Sequence, residues 1–277
     1  MAYLAYHFKV TPVQPGAEIL MAFLEDYPFE SFENNDEGFV AYIPEEAAQN
    51  LTFDFDLDEI QYSYEIKKIE TVNWNAEWEN NFEPVVVDDL LCIRAPFHAE
   101  NKSVKHEIII MPKMSFGTGH HQTTRLVCKQ MFEIDFKNKR VLDMGTGTGI
   151  LAILAKQLGA ADVVGIDIDV WSVENAIENC ASNAFPDIHI YQGDVTSLET
   201  EKSFEIIIAN INKNILKQQI PAYAKCMKVG GHLFLSGFFS TDVQDLTAIA
   251  EQNNFKFELT KNENEWAVMV LKLNFEC

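Results

Sequence analysis

Val141-Leu142-Asp143-Met144-Gly145-Thr146-Gly147-Thr148-Gly149-Ile150 is the run from which the rest of the chain can be placed. It reads as a buried strand ending in a carboxylate, then a glycine turn, then a helix opening on Ile150, Leu151, Ile153 and Leu154. Glycines at alternate positions allow a tight turn and bring a ligand against bare amides at a helix N-terminus. The run is thus expected to hold a nucleotide-type ligand. Beyond it, strands are expected at 140–143, 162–166, 188–192, 204–209 and 232–236, with helices beginning near His121, Gly149, Trp171, Asn212 and Thr241. Such alternation argues a parallel sheet covered on both faces. Residues 255–259 and 266–273, separated by polar 260–265, should close it with an antiparallel hairpin.

Upstream the pattern changes. Residues 1–70 read as strand, helix, hairpin, a short helix around 45–51 and a strand at 62–69, the β-α-β-β-α-β order of a ferredoxin-like domain. In the first strand either alternate set, Tyr3, Ala5, His7 or Leu4, Tyr6, Phe8, could face the core. Trp74, Trp78 and Phe82 follow at i, i+4 and i+8, a helical stripe stopped by Pro84. The expected organisation is therefore an acidic recognition domain over 1–70, a linker helix and β-rich connector over 71–112, and a ligand-binding domain over 113–277.

Composition narrows the function. The chain has 277 residues, 47% of them apolar, enough for one large and one small core. It carries a net charge of -21, and residues 1–80 hold 17 acids against Lys9, Lys67 and Lys68, so two thirds of the charge lies in under a third of the chain. That balance opposes nucleic-acid binding, which needs phosphate neutralisation, and favours encounter with a basic protein. No stretch of eighteen apolar residues and no signal-peptide pattern occurs, so a cytoplasmic protein without membrane contact is expected. Cys92, Cys128, Cys180, Cys226 and Cys277 are too far apart for a metal clip or a disulfide framework, and no metal site is expected.

A dinucleotide fingerprint G-x-G-x-x-G would need glycine at 150, where Ile150 stands. Asp167 ends the next strand 22 residues after Gly145, placed to accept ribose hydroxyls of either NAD or S-adenosylmethionine. Asp194 and Asn210 end the following two strands. With Trp74-x3-Trp78-x3-Phe82-x-Pro84, the run Phe116-Gly117-Thr118-Gly119-His120-His121-Gln122-Thr123-Thr124 and the ending Glu263-Asn264-Glu265-Trp266, the chain resembles a class I S-adenosylmethionine-dependent methyltransferase. More narrowly, it resembles the bacterial family that methylates large-subunit ribosomal protein eleven.

The resemblance implies a Rossmann-like domain with a mostly parallel seven-stranded sheet, and S-adenosylmethionine as methyl donor with S-adenosylhomocysteine as product. It implies that Gly145, Gly147 and Asp167 hold the amino-acid and ribose parts, that Asp194 lies near the adenine, and that Thr124 contacts the cofactor. Phe116 and Asp143, from the same two runs, complete the expected cofactor-binding set. Asn210 is expected near the methyl group, as the catalytic aligner of an amine. The family continues its FGTG run as T-H-P-T-T, whereas here His120 and Gln122 replace the threonine and proline. Losing a proline with preset φ leaves the start of that helix less constrained.

The expected activity is methylation of lysine side-chain or N-terminal amines of a basic ribosomal protein, by a monomer. Three other readings stand beside it: an NAD-dependent oxidoreductase, opposed by Ile150; a cofactor-binding module without turnover; and methylation of another protein or of a nucleic-acid exocyclic amine. Asn210-Ile211-Asn212 lacks the Pro-Tyr that would favour the last.

Overall fold

The computed structural model describes residues 3–48, 51–53, 55, 57, 60–69, 82–113, 115–200 and 204–274. Trp74 and Trp78, and with them the expected aromatic stripe, lie outside these residues. The chain divides into two compact units, Met1–Phe82 and Glu83–Cys277, so the β-rich part of the connector belongs with the second.

In the first unit β1 (Tyr3–Thr11), α1 (Gly16–Leu24), β2 (Ser31–Asn35), β3 (Gly38–Pro44) and β4 (Gln61–Ile69) build an antiparallel sheet of order β2-β3-β1-β4. Period-two alternation decides which face of β1 is covered: Tyr6, Phe8 and Val10 are buried with Leu20 and Leu24 of α1. Phe8 stacks on Phe39 at 4.9 Å and Tyr6 meets Phe29 edge-on at 5.3 Å. The helix expected around 45–51 is not formed over 45–48, which are turn. Ala47 and Ala48 both donate to the Pro44 carbonyl, sharing one acceptor at the end of β3 instead of starting a helical ladder.

The second unit opens with β5 (Val85–Val87), β6 (Leu91–Arg94) and β7 (His106–Ile109), a small mixed sheet. The main sheet follows from β8 (Arg140–Met144), β9 (Asp162–Asp167), β10 (His189–Gln192), β11 (Phe204–Asn210), β12 (Met227–Phe239), β13 (Phe255–Glu263) and β14 (Trp266–Leu273). Their order is β10-β9-β8-β11-β12-β14-β13, with only the β12–β14 and β14–β13 pairs antiparallel. Its helices are α2 (Gln122–Met131), α3 (Ile150–Gln157), α4 (Val170–Ser182), α5 (Lys213–Cys226) and α6 (Val243–Gln252). Both faces of the sheet are buried: Val141, Ile206 and Ile208 pack in one apolar cluster, Leu142, Ile207 and Ala209 in the other.

Two strands run longer than their apolar cores. β12 extends beyond 232–236 in both directions and carries a register shift between Ser236 and Phe238. β13 takes in polar residues up to Glu263, because at a sheet edge Thr260, Lys261 and Asn262 can face solvent while Glu263 pairs with Arg125. Cys92, Cys128, Cys180 and Cys226 are free and buried. Burial pushes the thiols of Cys128 and Cys180 up to about 12 and that of Cys226 to about 11.

Candidate active site

The chain leaves β8 for β9 on one side and returns to β11 on the other, so a crevice opens at the carboxyl ends of these strands. There the amides of Gly145 and Thr146 donate to the Ile166 carbonyl at 2.8 and 3.0 Å, folding the turn over the end of β9. Gly145 has φ +72 and Gly147 φ +55. A Cβ at the first would come 2.3 Å from Ile211 Cγ2, and at the second 2.2 Å from the Phe116 carbonyl oxygen. Only glycine fits this cradle.

Two aspartates serve the turn differently. Asp143 is buried, accepting from Thr146 Oγ1 at 2.7 Å and from the Ala152 amide at 3.1 Å through one oxygen. Burial pushes its carboxyl up to about 7, with those two hydrogen bonds pulling the other way. Asp167 instead reaches the cavity wall, with Oδ2 accepting from the Gly147 amide at 2.9 Å and Oδ1 from the Asp169 amide at 3.1 Å.

A cavity of about 750 Å³ spans these strand ends. The structure brings Phe116, Gly145, Gly147, Asp167, Asp194 and Asn210 onto its wall. Asp143 and Thr124 are buried and stand outside the lining. Asp194 is held by the amide and hydroxyl of Thr196 at 2.8 and 2.5 Å, which keep its carboxyl below the usual range. Asn210 Oδ1 and Thr124 Oγ1 are buried with no hydrogen-bond partner among the described residues. Asn212 caps α5 through Ile215 N at 3.1 Å.

The far wall is aromatic. The rings of Phe116 and His121 lie 5.3 Å apart, His121 and Trp266 4.7 Å, Trp266 and Phe239 4.4 Å. His121 caps α2, accepting from the Thr123 amide at 3.3 Å, so the cap holds the helix start where a proline at 122 would have preset it. Burial, and then the charge of Arg125, push the His121 imidazole below its ordinary value. Arg125 in turn bonds Glu263 at 3.1 Å and the His120 carbonyl, tying α2 to the β13–β14 hairpin.

Several further residues line the cavity without belonging to any motif of the sequence. Ile168 is 74% exposed between two acids at a strand end, an apolar residue at a position where solvent would favour a polar one, and this was a readable signal. Val195 and Ile211 add apolar wall, and Gln218 and Gln219 add amides from α5. These carry no local pattern that marks them.

The cavity suits a nucleoside-sized ligand. A glycine cradle at a helix N-terminus, a carboxylate at the end of the neighbouring strand and unpartnered oxygens beside them fit S-adenosylmethionine. Together with the seven-stranded order they define a class I S-adenosylmethionine-dependent methyltransferase. The chain belongs to the ribosomal protein L11 methyltransferase family, whose model matches residues 23–274. The ribosomal protein L11 methyltransferases of Phocaeicola vulgatus and Porphyromonas gingivalis are each 41% identical to it. The first alignment covers 97% of this chain and 98% of the relative, the second 97% of both. A crystal structure of the ribosomal protein L11 methylase from Lactobacillus delbrueckii subsp. bulgaricus superposes with a TM-score of 0.64 at 26% identity, over 70% of this chain and all of the other.

Proposed function

We propose that this enzyme methylates lysine side-chain or N-terminal amines of ribosomal protein L11. The observation that carries the reading is Asn210 on the cavity wall, whose buried Oδ1 has no hydrogen-bond partner among the described residues and so is an acceptor beside the ligand space. S-adenosylmethionine supplies a methyl group on a sulfonium, and transfer is an in-line displacement by an amine lone pair. Gly145, Gly147 and Asp167 hold the amino-acid and ribose parts, and Asp194 lies toward the adenine. Phe116 lines the same ligand space, while Thr124 offers its free hydroxyl oxygen from behind it. Asp143 supports the turn from beneath through Thr146 and Ala152.

Charge divides the cavity in a way that suits an amine acceptor. Among the described residues the lining carboxylates are Asp167, which ends β9, and Asp169 and Asp194, which follow β9 and β10; Phe116, His121, Asn210, Gln218, Gln219 and Trp266 form a wall of uncharged amide, aromatic and imidazole groups. A lysine of ordinary pKa needs about 4 kcal/mol to expose its lone pair at neutral pH. A carboxylate on the acceptor wall would add to that cost more than neutral amide and aromatic groups do.

The acidic 1–70 segment is the proposed recognition domain, residues 71–112 the connector and 113–277 the catalytic domain. The enzyme acts as a cytoplasmic monomer on free ribosomal protein. Purified enzyme with methyl-labelled S-adenosylmethionine and free ribosomal protein L11 should label that protein, and mass spectrometry should place each methyl on an amine. Label appearing only on another protein or on RNA would overturn the assignment.

A further inference from the structure

Thr148 lies in the glycine turn, is fully buried, and does not line the cavity. All three of its polar groups are committed. Its amide donates to the Phe116 carbonyl at 2.9 Å, its Oγ1 donates to the Gly117 carbonyl at 2.6 Å, and its own carbonyl accepts from Asn179 Nδ2 at 2.9 Å. Asn179, also buried, accepts from the Met111 amide at 2.9 Å. One threonine and one asparagine therefore staple both ends of the segment 111–117.

The approach is close from both sides. A Cβ on Gly117 would come 2.7 Å from Thr148 Oγ1, just as one on Gly147 would collide with the Phe116 carbonyl. Phe116 then reaches the cavity and meets His121, which meets Trp266. A continuous set of bonds and ring contacts thus runs from the turn that cradles the cofactor to the wall that receives the amine.

We infer that Thr148, braced by Asn179, is a positioning residue that couples occupancy of the glycine cradle to the placement of Phe116 and the aromatic acceptor wall. The inference rests on the methyltransferase reading of the cavity. With Thr148 in place, a ligand that orders residues 145–149 also orders residues 116–121. Without the Oγ1 hydrogen bond, only the Thr148 amide bond to Phe116 is left of this pair of links, and the coupling between the two segments weakens.

Hydrogen exchange on the full chain, with and without saturating S-adenosylhomocysteine, tests this. In the unaltered protein the ligand should slow exchange in both 116–121 and 145–149. In Thr148→Val, which keeps the shape and removes the hydroxyl donor, slowing at 145–149 should persist while that at 116–121 falls roughly five-fold, the scale of one hydrogen bond. Thr148→Ser should restore it. In the same Val variant kcat/KM for the protein acceptor should fall at least roughly ten-fold through misplacement of the wall, with S-adenosylhomocysteine affinity little changed. If Thr148→Val does not fold, Thr148→Ala removes the same hydroxyl donor and should give the same split. Unaltered slowing at 116–121 in the variants, or equal loss in both segments, would overturn the coupling. The exchange readout needs no acceptor, so failure of the L11 assignment leaves it standing; ligand that slows neither segment in the unaltered protein would instead sink the cofactor reading.

Discussion

Asp143 and Asp167 end adjacent strands 24 residues apart, yet their surroundings give them opposite work. Asp167 faces the cavity, so Asp167→Ala should weaken S-adenosylhomocysteine binding on the order of 100-fold, the scale of charged hydrogen bonds. Asp143 is enclosed and titrates near 7, so a neutral isostere costs little there. Asp143→Asn keeps an oxygen for Thr146 and Ala152 and should change affinity by less than about ten-fold. Isothermal titration of both variants checks the pair; equal losses would mean that Asp143 also meets the ligand. Spacing from the glycines was enough to find both residues, but not to tell them apart. The difference lies in burial, which depends on α3 folding back over β8.

At the scale of elements, the irregular stretch of β12 matters most. Gly237 has φ +91, and a Cβ there would come 2.3 Å from the carbonyl oxygen of Ile211, in the segment that follows Asn210. Gly237→Ala should therefore destabilise the protein by about 2 kcal/mol or more in denaturant titration. It should also depress turnover, because the backbone that must yield carries Asn210–Asn212. Unchanged stability and turnover would show that this backbone gives way freely. The parallel core was legible because continuous apolar runs such as Val141–Leu142 and Ile206–Ala209 mark strands buried on both faces. Strand ends were not: Phe238 and Phe239 join the sheet by pairing with Ala267 and Trp266 of β14, far along the chain, while residues 260–263 carry the hairpin on to Trp266 through polar side chains that read as a loop. The 45–48 turn departs for the converse reason: its composition suits a helix, but the amides of Ala47 and Ala48 both bond back to Pro44, the last residue of β3. In the site, strand-end acids and glycines could be read, whereas Gln218 and Gln219 become cavity wall only once α5 packs beside β11.

For the whole molecule, pH and salt separate stability from recognition. His106, His121 and His232 all have imidazoles lowered chiefly by burial. Below about pH 6.5 the unfolded chain binds protons that these folded rings refuse, so stability falls as pH falls. Asp143 acts oppositely: its folded carboxyl at about 7 takes a proton that the unfolded one refuses, adding stability as pH drops below 7. Removing the opposing group in Asp143→Asn therefore predicts a Tm that falls more steeply from pH 7.5 to 5.5 than in the unaltered protein, read by thermal scans. Recognition should respond to salt instead. With 17 acids and three lysines in residues 1–80, raising ionic strength from about 0.05 to 0.5 M should lower kcat/KM for a basic acceptor. S-adenosylhomocysteine affinity should hardly move; parallel losses would place the salt effect in the cofactor site. The buried cysteines carry a further consequence. A thiol held near 12 presents about one thiolate in a hundred thousand molecules at pH 7, so Cys128 and Cys180 are inert while the fold is closed. Alkylation of these two positions then acts as an internal clock, recording how often the catalytic core opens.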